Sequence, residues 1–154
     1  MRKRTQGREY ALQMLYQHEL NPEAVDKTIT SFWEQNPPAS EESRLFAEKL
    51  FKATCGQIEK IDAEISRVAQ NWQLNRMAVI DRNILRFATY ELLFITDIPP
   101  KVTINEAVNI AKKYSQEDSG KFVNGILDKI AHLGRKNLGQ TKNAAESDPE
   151  TRDA

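Results

Sequence analysis

Six residues in one short span carry side chains suited to holding a nucleic acid: Lys112, Lys113, Asp118, Lys121, Phe122 and Asn124. Lysines attract phosphate, an aromatic ring stacks on a base, and an amide reads polar base edges. The span also contains a predicted helix start, where exposed N–H groups and the helix dipole favour an anion. Asp118 is the exception, because a carboxylate repels phosphate. Asp118 or Ser119 is expected to cap that helix, and Asp118 otherwise tempers the affinity. The same residues also fit an ordinary capped helical hairpin with a solvated face, and on the residues alone that plainer reading has the better claim.

A second cluster lies at the start of the chain. Arg2, Lys3, Arg4 and Arg8 come before any acid. Residues 1–8 read either as a basic arm that orders on phosphates or as a solvated, frayed terminus. The whole chain has 154 residues, with 22 basic and 22 acidic, so its net charge of zero points to no particular partner and only local clustering can.

No catalytic arrangement is present in the pattern. His18 and His132 fall in separate helices with no patterned partner, and a glycine-rich phosphate loop is absent. Cys55 is the single cysteine, which excludes an internal disulfide framework and a cysteine metal site. The expectation is a non-enzymatic protein without cofactor or metal. No apolar run is long enough for a bilayer, and the opening MRKRTQGRE lacks the apolar segment of a signal peptide. A cytoplasmic protein with no membrane partner follows.

The elements that must position these residues are helical. Gly and Pro are few, six each, and strand-like runs of β-branched residues are missing, so the predicted class is all-α. A basic arm over 1–8, one domain over 9–134 and a disordered tail over 135–154 are expected. The tail holds one leucine and no aromatic, too little apolar surface to offset the entropy of ordering.

About seven helices are predicted. Gly7 to Leu20 buries Ala11, Leu12, Leu15 and Tyr16. A short helix follows Pro22 with Val25, Ile29, Phe32 and Trp33. Ser40 caps the third, with Leu45, Phe46, Leu50 and Ala53 inward. A break between Gly56 and Asp62 separates it from a fourth carrying Ile58, Ile61, Ile65 and Val68, and Asp62 is a possible cap. After Trp72, Asn75 is expected to cap a helix running to about Thr96. It is apolar over so much of its surface that it should be central. Arg76, Asp81, Arg82 and Arg86 interrupt it with charge, and ion pairing along its surface is the plain account of them. Thr103 and Glu106 form a capping box that would start the sixth helix at Ile104. The seventh buries Val123, Ile126, Leu127 and Ile130 and stops at Gly134. Gly125 inside it costs about 1 kcal/mol relative to alanine, which suggests close approach of another backbone or a ligand.

Several motifs together resemble the NusB family of bacterial transcription antitermination factors. One is P-x-K-V-x-I-N-E-A-V-x-I-A-K-K-Y over Pro99–Tyr114, followed by D-S-x-K-F-V-N-G-I-L-D over Asp118–Asp128. Upstream lie Trp72, Arg76-Met77, I-D-R-N-I-L-R over Ile80–Arg86 and Tyr90-Glu91-Leu92. Arg8, Ala11, Gln13, Leu15 and Tyr16 fit near the start. The resemblance runs from about Arg4 to Leu133. It implies an all-α fold of two packed helical bundles. It also implies binding of single-stranded boxA-type RNA together with the small-ribosomal-subunit protein NusE, in support of RNA polymerase on ribosomal RNA operons.

Carried over position by position, the RNA-binding residues would be Arg2, Lys3, Arg4, Arg8, Asp118, Ser119, Lys121, Phe122 and Asn124. NusE would meet Tyr16, Asp81 and Glu91. Some relatives self-associate, so a homodimer is a further possible partner. A protein-only helical adaptor is the alternative function. The same helical domain also precedes the catalytic domain of certain ribosomal RNA cytosine methyltransferases, a domain this chain is not expected to carry.

Overall fold

The computed structural model describes residues 2–69 and 73–134. Trp72 and the predicted tail over 135–154 lie outside the described residues. Among the described residues there are seven α-helices and no strand. The helices are α1 (Lys3–Leu20), α2 (Val25–Gln35), α3 (Glu41–Gly56), α4 (Ile58–Val68), α5 (Val79–Phe94), α6 (Pro100–Tyr114) and α7 (Ser119–Lys129). A 3-10 turn spans Leu74–Arg76 and a π turn spans Ile130–Gly134. None of these helices is long and apolar enough to cross a membrane. The described residues divide into two compact units, one through Ile58 and one from Glu59.

In the first unit α1 packs along α3, and α2 touches both. The buried stripe of α3 is Ser43, Ala47, Leu50, Phe51 and Thr54. Leu45 was expected in that core and is instead 54% exposed. It lies two residues from both Ser43 and Ala47, about 200° around the helix, on the opposite face. Ser40 caps α3 as predicted, with its Oγ accepting from Ser43 N–H at 3.1 Å. Glu41 and Glu42 occupy the first turn, where the helix dipole favours acids. Trp33 Nε1 donates to Glu48 at 2.9 Å, and Tyr10 sits edge-on to Trp33 with ring centroids 5.1 Å apart.

In the second unit α5 is the central element, touched by α6, α7 and the π turn. Ile84, Leu85, Phe87, Ala88 and Leu92 are buried on it. It begins at Val79, not after Asn75, because Leu74–Arg76 forms its own 3-10 turn. Arg82 closes that turn, donating from Nη1 to the carbonyls of Leu74 and Met77, each at 3.0 Å. Asp62 is not a cap. It lies inside α4 and forms a two-pronged ion pair with Arg86, at 2.9 Å to Nε and 3.0 Å to Nη2.

The start of α6 also differs from the expected capping box. The helix begins at Pro100, a residue suited to the first turn because its missing N–H would be unpaired there anyway. Thr103 is therefore interior, and its Oγ1 donates to Glu91 Oε1 at 2.9 Å with both residues buried. The apolar stripe predicted for α7 is buried throughout: Val123, Ile126 and Leu127 on the helix and Ile130 at the start of the π turn that continues it.

Ser40→Ala should remove the α3 cap and cost about 1 kcal/mol. Thermal melting checks this, with a fall of about 2–4 °C expected for a chain of this size.

Candidate nucleic-acid interface

The basic start is a helix, not a separate arm. Lysine and arginine are good helix formers, and α1 runs from Lys3 through Arg8 without a break. Arg2 stands at its N-cap in extended backbone. Arg2, Lys3 and Arg4 are exposed. Lys3 reaches Glu42 at 3.2 Å, but both side chains are more than half exposed, so solvent leaves that pair weak. The first turn of α1 holds no acid. Three cations at the positive end of a helix dipole are mutually unfavourable, and a bound anion relieves that.

Arg8 does not belong to this exposed set. It is 2% exposed, and its guanidinium lies 5.3 Å from the Phe46 ring centroid. Arg4, one helical turn earlier, lies 5.5 Å from the same ring. Both are within cation–π range, and the continuation of the helix through Arg8 is what buries its stem.

The second cluster surrounds the connector between α6 and α7. Lys112 and Lys113 lie in the last turn of α6, where cations suit the dipole. Asp118 is exposed, with its backbone already in the right-handed helical region, and its side chain makes no capping bond. The expected Asp118 cap is thus absent. Ser119 is not a surface residue either. It is buried, shares a 2.9 Å hydrogen bond with Ser115 and donates to Asp81 Oδ2 at 3.0 Å. Its hydroxyl is committed inside the protein.

Lys121 and Asn124 are exposed and Phe122 is half-buried. The positions 118, 121, 122 and 125 follow the spacing of one helix face. Gly125 on that face is exposed, and a Cβ added there would meet nothing within 4 Å. Among the described residues no other backbone approaches Gly125, so the first of the two expectations, another backbone or a ligand, is not met. The glycine leaves open space beside Phe122 and Lys121 on the solvent side.

Of the three residues expected to face NusE, only Tyr16 is at the surface, at 39% exposure. Asp81 is buried and holds Ser119, and Glu91 is fully buried and accepts from Thr103. The reason is the position of α5 at the centre of its unit, which turns both carboxylates inward. Ser115 was not singled out by sequence. Its only signal was the i,i+4 spacing to Ser119.

These features define an all-helical protein of two helix units, with exposed cations at the start of α1 and an aromatic–amide–lysine surface on α7. A model of the NusB family matches residues 5–132. The transcription antitermination protein NusB of Anaeromyxobacter sp. (strain Fw109-5) is 48% identical over 129 residues, covering 84% of this chain and 90% of that protein. Its counterpart in Desulfitobacterium hafniense (strain DSM 10664 / DCB-2) is 47% identical over 131 residues, covering 84% and 88%. The chain belongs to the NusB family. Among solved structures, T. maritima NusB superposes with a TM-score of 0.77 at 40% identity, covering 89% of this chain and 96% of that one. A crystal structure of antitermination factors NusB and NusE in complex with dsRNA matches with a TM-score of 0.77 at 30% identity, covering 86% and 98%.

Gly125→Ala should raise stability by about 0.5–1 kcal/mol, since the methyl meets open space and the helix gains a better former. Denaturant unfolding reads this directly. A loss of stability would mean that the space beside Phe122 is filled.

Proposed function

We propose that this chain is a non-enzymatic, RNA-binding transcription antitermination factor. It binds single-stranded boxA-type RNA together with the ribosomal protein NusE, and acts within the transcribing RNA polymerase complex on ribosomal RNA operons. The observation that carries this reading is the likeness over 86% of the chain to a NusB that was solved with NusE and dsRNA.

The chemistry of the exposed residues supports it. Arg2, Lys3 and Arg4 supply phosphate contacts at one cluster. Lys121, Phe122 and Asn124 supply a phosphate contact, a stacking ring and a base-edge amide at the other. Arg8 acts from beneath, as a buried support for the first turns of α1. Ser119 acts likewise at the start of α7. Tyr16 is the residue retained for the NusE contact, because Asp81 and Glu91 are buried.

Fluorescence anisotropy of a labelled boxA-type RNA, with and without NusE and at several salt concentrations, tests the reading. Binding should tighten with NusE and weaken with salt. Replacing Arg2, Lys3 and Arg4 by alanine should lower the log–log salt slope by about 2, at about 0.7 per phosphate contact on a single strand. Phe122→Ala should weaken binding about tenfold, the loss of one stacked base. No binding by a folded chain under any of these conditions would favour a protein-only adaptor.

Asp118→Asn should tighten RNA binding. It removes an exposed negative charge from the same helix face as Lys121 and Phe122 without removing a capping bond. Unchanged or weaker binding in the same titration would count against a repulsive role for Asp118.

A further inference from the structure

We propose that Asp81 and Ser119 are positioning residues for the RNA surface of α7. A buried hydrogen bond from Ser119 Oγ to Asp81 Oδ2, at 3.0 Å, pins the first turn of α7 onto α5. That turn carries Asp118, Lys121 and Phe122, with Asn124 just beyond. The inference rests on the RNA-binding reading above and adds residues that hold its surface without touching RNA.

Three observations carry it. First, α7 has no side-chain cap, because Asp118 makes no capping bond, so its start needs another restraint. The Ser119 hydroxyl provides one, and Ser115 at 2.9 Å ties the connector into the same chain of bonds. Second, Asp81 is only partly satisfied. Its Oδ1 is buried with no hydrogen-bond partner among the described residues. A buried carboxylate is a costly way to attach one helix to another, and an apolar pair would hold it as firmly. What a hydrogen bond adds is a fixed register.

Third, the next residue is seated as closely. Gly120 is buried, and a Cβ there would lie 3.1 Å from Lys112 Cε and 3.2 Å from Lys112 Cγ. The stem of Lys112 therefore lies flush on Gly120. Ser119 is fastened to α5 and Gly120 lies flat on α6, which leaves one rotation and one depth for α7. In that orientation Lys121 and Asn124 face solvent.

The test uses the full chain with NusE, titrated with labelled boxA-type RNA at several salt concentrations. Amide hydrogen exchange over residues 115–122 and thermal melting are followed in parallel. The variants are Ser119→Ala, Asp81→Ala, the double variant and Asp81→Asn, which keeps an acceptor oxygen. Each single alanine change should weaken RNA binding about fivefold, as expected for one buried hydrogen bond. Exchange over 115–122 should quicken, and the salt slope should stay at the wild-type value. The double variant should bind no worse than either single one, and Asp81→Asn should bind within about twofold of wild type.

Wild-type affinity in Ser119→Ala overturns this inference alone. So does a reduced salt slope, which would make Ser119 a direct RNA contact. Weakened binding with unchanged exchange over 115–122 also overturns it. Should Asp81→Ala fail to fold, Ser119→Ala decides by the same criteria. No RNA binding by the wild-type chain overturns the functional reading and this inference together.

Discussion

A helix buried on nearly every side directs most of its polar groups at other parts of the protein, and α5 carries many. Asp81, Arg82, Asn83, Thr89 and Glu91 are buried on it, and Arg86 nearly so. Each unmet group would cost more than a met one returns, so their bonds are strongly constrained. Asn83 bonds back to the Val79 carbonyl, Thr89 Oγ1 and Asp81 Oδ1 have no partner among the described residues, and the other bonds go outward to different neighbours. Arg86 holds Asp62 of α4, Arg82 closes the 3-10 turn, Glu91 takes the hydroxyl of Thr103 on α6, and Asp81 takes that of Ser119 on α7. The apolar contacts of the second unit set its density. These bonds set which rotation of each neighbouring helix is allowed.

That division of labour explains which residues remain for an outside partner. Charged residues on α5 are occupied within the fold, although their types alone suit an interface. The exposed groups sit at helix beginnings and ends, where backbone donors and dipoles add to the side chains. At α1 the exposed cations oppose the dipole, an arrangement that a bound anion would relieve. At α7 the face of Lys121 and Phe122 is widened by the missing side chain of Gly125. Both are suited to a flexible polyanion whose bases can turn outward.

Local pattern carried much of the fold. The stripe Val123, Ile126, Leu127 and Ile130 is a three-four repeat, and burial follows it without exception. Ser40 before two glutamates is a cap in both sequence and structure. The break near Gly56 falls at Gln57, between α3 and α4. The misreadings share a cause. Thr103, Asp62, Asp81 and Ser119 each have a short-range role available, as a cap or a surface charge. Each takes a long-range partner instead, separated by 12 to 38 residues in the chain.

Periodicity cannot show such pairings, because they depend on which helices become neighbours. The same limit applies to the candidate RNA-binding residues. The clusters at Arg2–Arg4 and Lys121–Asn124 are legible as residue types. Whether Arg8 and Glu91 are accessible is decided by the packing of α1 and α5 within their units. Leu45 shows the converse, an apolar residue that falls on the wrong side of a helix whose stripe is already complete.

Hydrogen–deuterium exchange of the full chain, with and without boxA-type RNA and NusE, tests the central claim most directly. Slowed exchange on RNA addition at residues 3–8 and 112–125, with α2 residues 26–34 unchanged, is the predicted result. Protection that leaves residues 112–125 at their free rate while RNA is bound would contradict it.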